Sequence, residues 1–292
     1  MEKPYPCVWL PGSAKAAAEA YTAAFTDARV LSSTAVGDTP SGTTEVVKLE
    51  IGGSPLMLMS AESQFRPNPS VSLMVSCSSP AEVDRLWSVL SAGGTLRMPL
   101  DSYPFSPRYG WTDDRFGVSW QLFYGDGAEG RPRIIPTLMF TGAVCGKAEE
   151  AMRFWVSALD RSAEGGVLRY GKDEAPDAEG SVKHEEFELG GRTFAAMDSA
   201  YPHGFGFNEA VSLVVECADQ AEIDRLWLKL SAHPEAEACG WLKDRYGVSW
   251  QIVPRELGGM MSSGDERTAR VVEAFLGMKK MDLAALKRAF EG

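Results

Sequence analysis

The chain repeats itself. Val71 to Ser91 reads VSLMVSCSSPAEVDRLWSVLS and Val211 to Ser231 reads VSLVVECADQAEIDRLWLKLS, without a gap and with most positions identical. A duplication of this length restricts the fold more than any local propensity does, because both copies must fold into the same unit. The match extends upstream, where KLEIGGSPLMLM (Lys48 to Met59) answers EFELGGRTFAAM (Glu186 to Met197) and YTAAFTD near Tyr21 answers WVSALDR near Trp155. Downstream, DRFGVSWQ (Asp114 to Gln121) returns as DRYGVSWQ (Asp244 to Gln251). Two tandem domains are therefore expected at 1–126 and 136–256, with a glycine- and charge-rich linker at 127–135 and a tail at 257–292.

Within each half the periodicities are readable. Ser13 to Phe25 and Lys147 to Leu159 carry alanines and aromatics at helical spacing. Thr44 to Ile51 and Val182 to Leu189 alternate as half-buried strands, and Gly52-Gly53 and Gly190-Gly191 supply two-residue hairpin turns. Val71 to Cys77 predicts a strand, and Pro80 to Ser91 a helix with Val83, Leu86, Trp87 and Leu90 on its apolar stripe. Each half thus reads as two βαβββ modules, and the fold class is α+β. In the repeated octapeptide, Asp114 to Gly117 and Asp244 to Gly247 suit a type I turn whose last residue has positive φ. The strand that follows puts Val118, Trp120 and Leu122 on one face and Gln121 on the other. In the tail, Asp265 and Asp282 are expected N-caps of two short helices, the first with Val271, Val272, Phe275 and Leu276 as its stripe. That stripe must be covered by the chain's own domains or by a second copy in a homodimer.

Composition narrows the function. Forty acidic against 29 basic side chains give a net charge of −11, which argues against nucleic acid or an anionic membrane as partner. The five cysteines are widely spaced with no CxxC pair, as expected of reduced thiols. MEKPYPCVWLPGS has no apolar run of signal-peptide length, so a cytoplasmic location is expected.

The paired modules, AEVDRLW (Ala81 to Trp87), AEIDRLW (Ala221 to Trp227), and GWxxDR[FY]GVSWQ from Gly110 and Gly240 resemble the PhnB-like branch of the vicinal-oxygen-chelate superfamily in its two-domain form. That superfamily includes glyoxalase, bleomycin-resistance proteins and extradiol dioxygenases, and the tail is similar to that of its two-domain members. The resemblance implies a cupped mixed sheet in each domain. It also implies, in metal-using members, histidine or glutamate ligands on the first strand of each module and a glutamate near the end of the last. Here the positions aligned with the last ligand are Gln121 and Gln251, those at the start of the second module are Ser72 and Ser212, and PCVWL and PTLMF lack histidine and carboxylate. Amide and hydroxyl bind transition metals poorly. No metal and no cofactor are expected. The name methyltransferase, common in this branch, has no support in the residues, since no glycine-rich turn follows a strand in a Rossmann-like unit.

The residues point first to a metal-independent protein that binds a small molecule in the cup, and second to a lyase or dioxygenase-like enzyme using Glu50, Glu188 or His203 for a metal. Glu50 and Glu188 occupy matching places on the polar faces of their strands, where solvent is the commoner surroundings. Phe65 with Phe205, and Asn68 with Asn208, recur ahead of Ser72 and Ser212, either as a gate or as turn residues. His203 lies on a glycine-bearing loop, whereas Cys77 and Cys217 read as core. Between Ser91 and Gly110 the first half has eighteen residues where the second has eight between Ser231 and Gly240. The longer segment predicts a strand, Thr95 to Leu100, and an aromatic loop with Tyr103, Phe105 and Tyr109, so the fuller pocket is expected in the first repeat.

Overall fold

The computed structural model describes residues 3–39, 42–62, 64–125, 130–262 and 265–292. In the first repeat β1 (Tyr5–Leu10), α1 (Ala14–Ala24), β2 (Ala28–Thr39), β3 (Gly42–Ile51) and β4 (Ser54–Ser60) form one module. The second module is β5 (Val71–Ser76), α2 (Pro80–Leu90), β6 (Thr95–Tyr103), β7 (Ser106–Asp113) and β8 (Ser119–Tyr124). The second repeat supplies β9 (Ile134–Phe140), α3 (Ala148–Ala158), β10 (Val167–Arg169), β11 (Val182–Leu189) and β12 (Arg192–Asp198). Then come β13 (Val211–Cys217), α4 (Gln220–Leu230), β14 (Trp241–Lys243) and β15 (Ser249–Pro254). The tail holds α5 (Leu257–Met261), α6 (Glu266–Leu276) and α7 (Leu283–Glu291). No helix among the described residues is long and apolar enough to cross a membrane.

The sheets do not follow the repeats. A seven-stranded sheet runs β14-β15-β13-β1-β4-β3-β2, and an eight-stranded sheet runs β10-β11-β12-β9-β5-β8-β7-β6. Each cup therefore takes one module from each sequence half. The join is antiparallel in both cases: Cys7 lies opposite Ser212 where β1 meets β13, and Thr137 opposite Ser72 where β9 meets β5. The segment expected as linker falls partly outside the described residues, at 127–129, and Ile134 and Ile135 within it already belong to β9.

Local chemistry explains the elements. Ser79 accepts from the Glu82 amide as N-cap, Pro80 opens α2, and the Glu82 carboxylate reaches back to the Ser78 amide just before the cap. Asp219, Asp265 and Asp282 cap α4, α6 and α7. Alternation in the strands sends Val8, Leu10, Leu56, Leu58, Leu213 and Trp250 towards the helices and their alternates towards the cups. The closing turns are held by buried aspartates. Asp114 Oδ1 accepts from the Phe116 and Val118 amides, and its Oδ2 from Tyr21 Oη (2.6 Å) and Trp120 Nε1 (2.8 Å). Asp244 repeats this with the Tyr246 and Val248 amides, Trp155 Nε1 (2.8 Å) and Trp250 Nε1 (2.9 Å). Gly117 and Gly247 take φ 87° at the end of those turns. The octapeptide is thus an anchor between the last strand and the first helix of each half. Trp87 is only partly buried; its ring packs against Gly110, where a Cβ would come within 2.5 Å of it.

Candidate functional site

The concave face of the seven-stranded sheet encloses a cavity of about 240 Å³. β1 contributes Tyr5, β3 Val46 and Lys48, and β4 Met57 and Met59. From the other repeat β13 contributes Val214 and Glu216, β14 Trp241, and β15 Gln251 and Val253. Ser32, Thr34 and Val36 of β2 close one side. Leu257, Met261, Phe275 and Met281 of the tail, with Arg255 before it, close the mouth. The tail is docked on its own fold. Met278 and Lys279 carbonyls accept from the Cys239 and Gly240 amides (both 2.7 Å), and the Leu283 amide donates to Gln220 Oε1 (2.8 Å).

The cavity wall is largely apolar, with Ser32, Thr34, Gln251 and Arg255 on it and one ionic cluster. Glu216 Oε1 accepts from Tyr5 Oη at 2.5 Å and from Lys48 Nζ at 2.6 Å. The ammonium also sits 4.6 Å from the Tyr5 ring centroid, a cation–π contact. Burial, with the Glu216 carboxylate beside it, pushes the Tyr5 phenol far above its ordinary range, so Tyr5 is a neutral donor. Lys48 and Glu216 have side-chain exposures of 26% and 22%, low enough that their pairing is screened less than a surface salt bridge.

The residues singled out in the sequence are distributed over both cups. Gln251 Nε2 donates to Ser212 Oγ (2.9 Å) in the seven-stranded sheet, and Gln121 Nε2 to Ser72 Oγ (2.7 Å) in the eight-stranded sheet. Gln121 Oε1 is in addition taken by Tyr109 Oη at 2.6 Å. Cys7 lies beside Gln251 and Ser212, and burial pushes its thiol up to about 12, which leaves it neutral. A neutral thiol, a hydroxyl and an amide committed to that hydroxyl do not fit a divalent-metal site of the kind the fold family uses. Among the described residues no group of three or more His, Cys, Asp or Glu is arranged to hold a metal ion.

Glu50 pairs with Arg29 (3.0 Å) on the seven-stranded sheet, while Glu188 is exposed on the eight-stranded one. Neither lines the cavity. His203 is exposed, with Nε2 2.8 Å from Ser199 Oγ and its ring stacked on Phe205 at 5.0 Å. Partial burial lowers its pKa. These three are not brought together. Asn68 and Asn208 make a reciprocal clasp: each accepts from the amide two residues on (Ser70 and Ala210), and each donates across to the other's loop, to the Gly206 and Arg66 carbonyls. They are turn residues with a second duty in joining the repeats. Phe65 is half-buried on the same loop.

The long segment of the first repeat is a hairpin of β6 and β7, not a strand and a loop, and it extends the eight-stranded sheet. Tyr103, Phe105 and Tyr109 form an aromatic cluster there, with ring centroids 5.1–5.7 Å apart. They do not line the 240 Å³ cavity, contrary to the expectation of a fuller pocket built on that segment. Of the three, Tyr109 is buried and donates to Gln121, Tyr103 is half-buried and Phe105 is exposed. Sequence reading missed Tyr5, Lys48 and Glu216. The signal was present, since their counterparts on cup-facing positions of the other repeat are Ile135, Glu186 and Ser76.

Comparison with known proteins agrees with this architecture. The family model described as 3-demethylubiquinone-9 3-methyltransferase matches twice, at residues 2–123 and 132–253. No curated protein matches the sequence. Among solved structures, the PhnB protein of Bacillus cereus is 29% identical and covers 41% of this chain and 98% of its own, with a TM-score of 0.39. A glyoxalase I mutant from Zea mays, 11% identical, covers 86% of this chain and 91% of its own at a TM-score of 0.52, a likeness of fold alone. A glyoxylase/bleomycin resistance protein/dioxygenase domain from Frankia sp. EAN1pec is 18% identical and covers 41% and 93%, with a TM-score of 0.31. With the family model matched over both repeats and the glyoxalase-type fold around them, the chain belongs to the 3-demethylubiquinone-9 3-methyltransferase family, the PhnB-like branch of the vicinal-oxygen-chelate superfamily, in its two-domain form.

Proposed function

We propose that the protein is a metal-independent binder of a small, largely apolar molecule, held in the cup of the seven-stranded sheet. The observation that carries this reading is the cavity of about 240 Å³, walled mainly by methionine, valine and aromatic side chains, with an ionic cluster and a few other polar groups. Apolar walls with few, placed polar groups are the usual make-up of a ligand site. The volume lies just below the roughly 300–1,000 Å³ of typical ligand pockets, which favours a compact, single-ring-sized occupant. The neutral set Cys7, Ser212 and Gln251 supports independence from metal, and methyl transfer has only the family's name behind it.

Three measurements test the reading. Elemental analysis of protein purified without chelator should find no near-stoichiometric zinc, nickel, iron or manganese; such a metal would overturn it. A crystal soaked with a small aromatic compound should show density in the seven-stranded cup, and density confined to the eight-stranded cup would move the site. Calorimetry with S-adenosylmethionine should show no binding.

A further inference from the structure

We infer that the occupant of the seven-stranded cup is a compact phenol whose hydroxyl donates to Glu216. This assignment rests on that cup being the binding site. Glu216 faces the cavity from β13, and its Oε1 already accepts from Tyr5 and Lys48. Oε2 accepts no hydrogen bond from the described residues. A carboxylate oxygen with free lone pairs in an apolar cavity is a site for a hydrogen-bond donor, and a donor to a charged acceptor makes a strong bond. Lys48 and Tyr5 supply the complementary part: both donate to Oε1 and so hold the carboxylate in one orientation, with the ammonium as its counter-charge.

The rest of the wall selects what carries the hydroxyl. Met57 and Met59 of β4 and Met261 and Met281 of the tail bring four thioethers to one small cavity, joined by Trp241. Methionine sulfur contacts aromatic rings favourably and adapts to their outline. Aliphatic chains gain less from such a wall. A ring with a hydroxyl at one end satisfies both features.

Calorimetry with three probes of matched size tests this. 4-Ethylphenol should bind the full-length protein at least tenfold more tightly than ethylbenzene, and severalfold more tightly than 4-ethylcyclohexanol. In Glu216→Gln, which keeps the side-chain shape, the preference for 4-ethylphenol over ethylbenzene should fall to about threefold or less. Equal binding of 4-ethylphenol and ethylbenzene to the wild type overturns the hydroxyl assignment while leaving the cup as a binding site. Equal binding of 4-ethylphenol and 4-ethylcyclohexanol overturns the aromatic part. A preference retained in Glu216→Gln overturns the role of Glu216. Failure of all three probes to bind overturns the binding reading together with this one. The wild-type comparison decides the ligand class even where Glu216→Gln proves unstable.

Discussion

Where the eight-stranded sheet presents Met74, Tyr109 and Phe123 to its concave face, the seven-stranded sheet presents Val214, Cys239 and Val253 at the corresponding positions. Three larger side chains stand in one cup where three smaller ones line the cavity of the other. On the opposite face, against the helices, the two repeats keep nearly the same apolar residues, such as Leu73 with Leu213 and Trp120 with Trp250. The helix-facing layer carries stability and tolerates little change in volume. The cup-facing layers differ more, and that of the seven-stranded sheet lines a cavity with Tyr5, Lys48 and Glu216.

The comparison can be broken or sharpened experimentally. The largest effect concerns what the halves share: Asp244→Ala strands two indole and two amide donors in the core and should cost about 4 kcal/mol. Asp114→Ala should match it within about 1 kcal/mol, as read from urea unfolding; a wider gap would show that the two anchors are not equivalent.

Next comes a difference between the halves on the helix side. Glu185 of β11 is fully buried with neither oxygen paired, at the position held by Val47 in β3. Burial, reinforced by the Glu149 and Asp198 charges, pushes its carboxyl up from 4.5 to about 8. The folded protein therefore holds this proton more tightly than the unfolded chain, and stability is lost as pH rises from about 4.5 through about 8. Glu185→Val should remove that slope and stabilise the protein by on the order of 3 kcal/mol at pH 9, measured by denaturation across pH.

A smaller effect tests the cavity itself. Cys239→Tyr with Val253→Phe copies the larger side chains of the eight-stranded cup into the seven-stranded one, and should weaken binding of a 4-ethylphenol probe at least tenfold, about 1.4 kcal/mol. Unchanged binding would place the site elsewhere. The smallest effect is the difference between the two glutamines, about 1 kcal/mol. Gln121→Ala breaks bonds to both Ser72 and Tyr109 and should cost about 2 kcal/mol, whereas Gln251→Ala breaks the bond to Ser212 and a weak one to the Cys7 thiol and should cost about 1 kcal/mol.

Much of the framework was legible before the fold. The type I turns at Asp114 and Asp244, the glycine hairpins at Gly52 and Gly190, and the caps at Asp265 and Asp282 all depend on residues close in sequence. The candidate site was less legible, because matching positions drew attention first. Asn68 and Asn208 match, and they clasp loops; Ser72 and Gln121 match Ser212 and Gln251, and they bond to one another. The ionic cluster occupies positions where the repeats differ, and no single one of its members stands out alone. Tyr5 and Glu216 are 211 residues apart, and Lys48 and Glu216 are 168 apart.

The sequence by itself determined the duplication, the order of strands and helices in each module, and which face of each element turns inward, because periodicity and turn chemistry are local. Only the tertiary structure decided that β1 joins β13 and β9 joins β5, so that each cup mixes the two halves. Strand partnership is non-local: the same alternation in β1 or β9 fits either neighbour. The open cup follows from that choice, since its volume depends on which distant side chains end up facing one another.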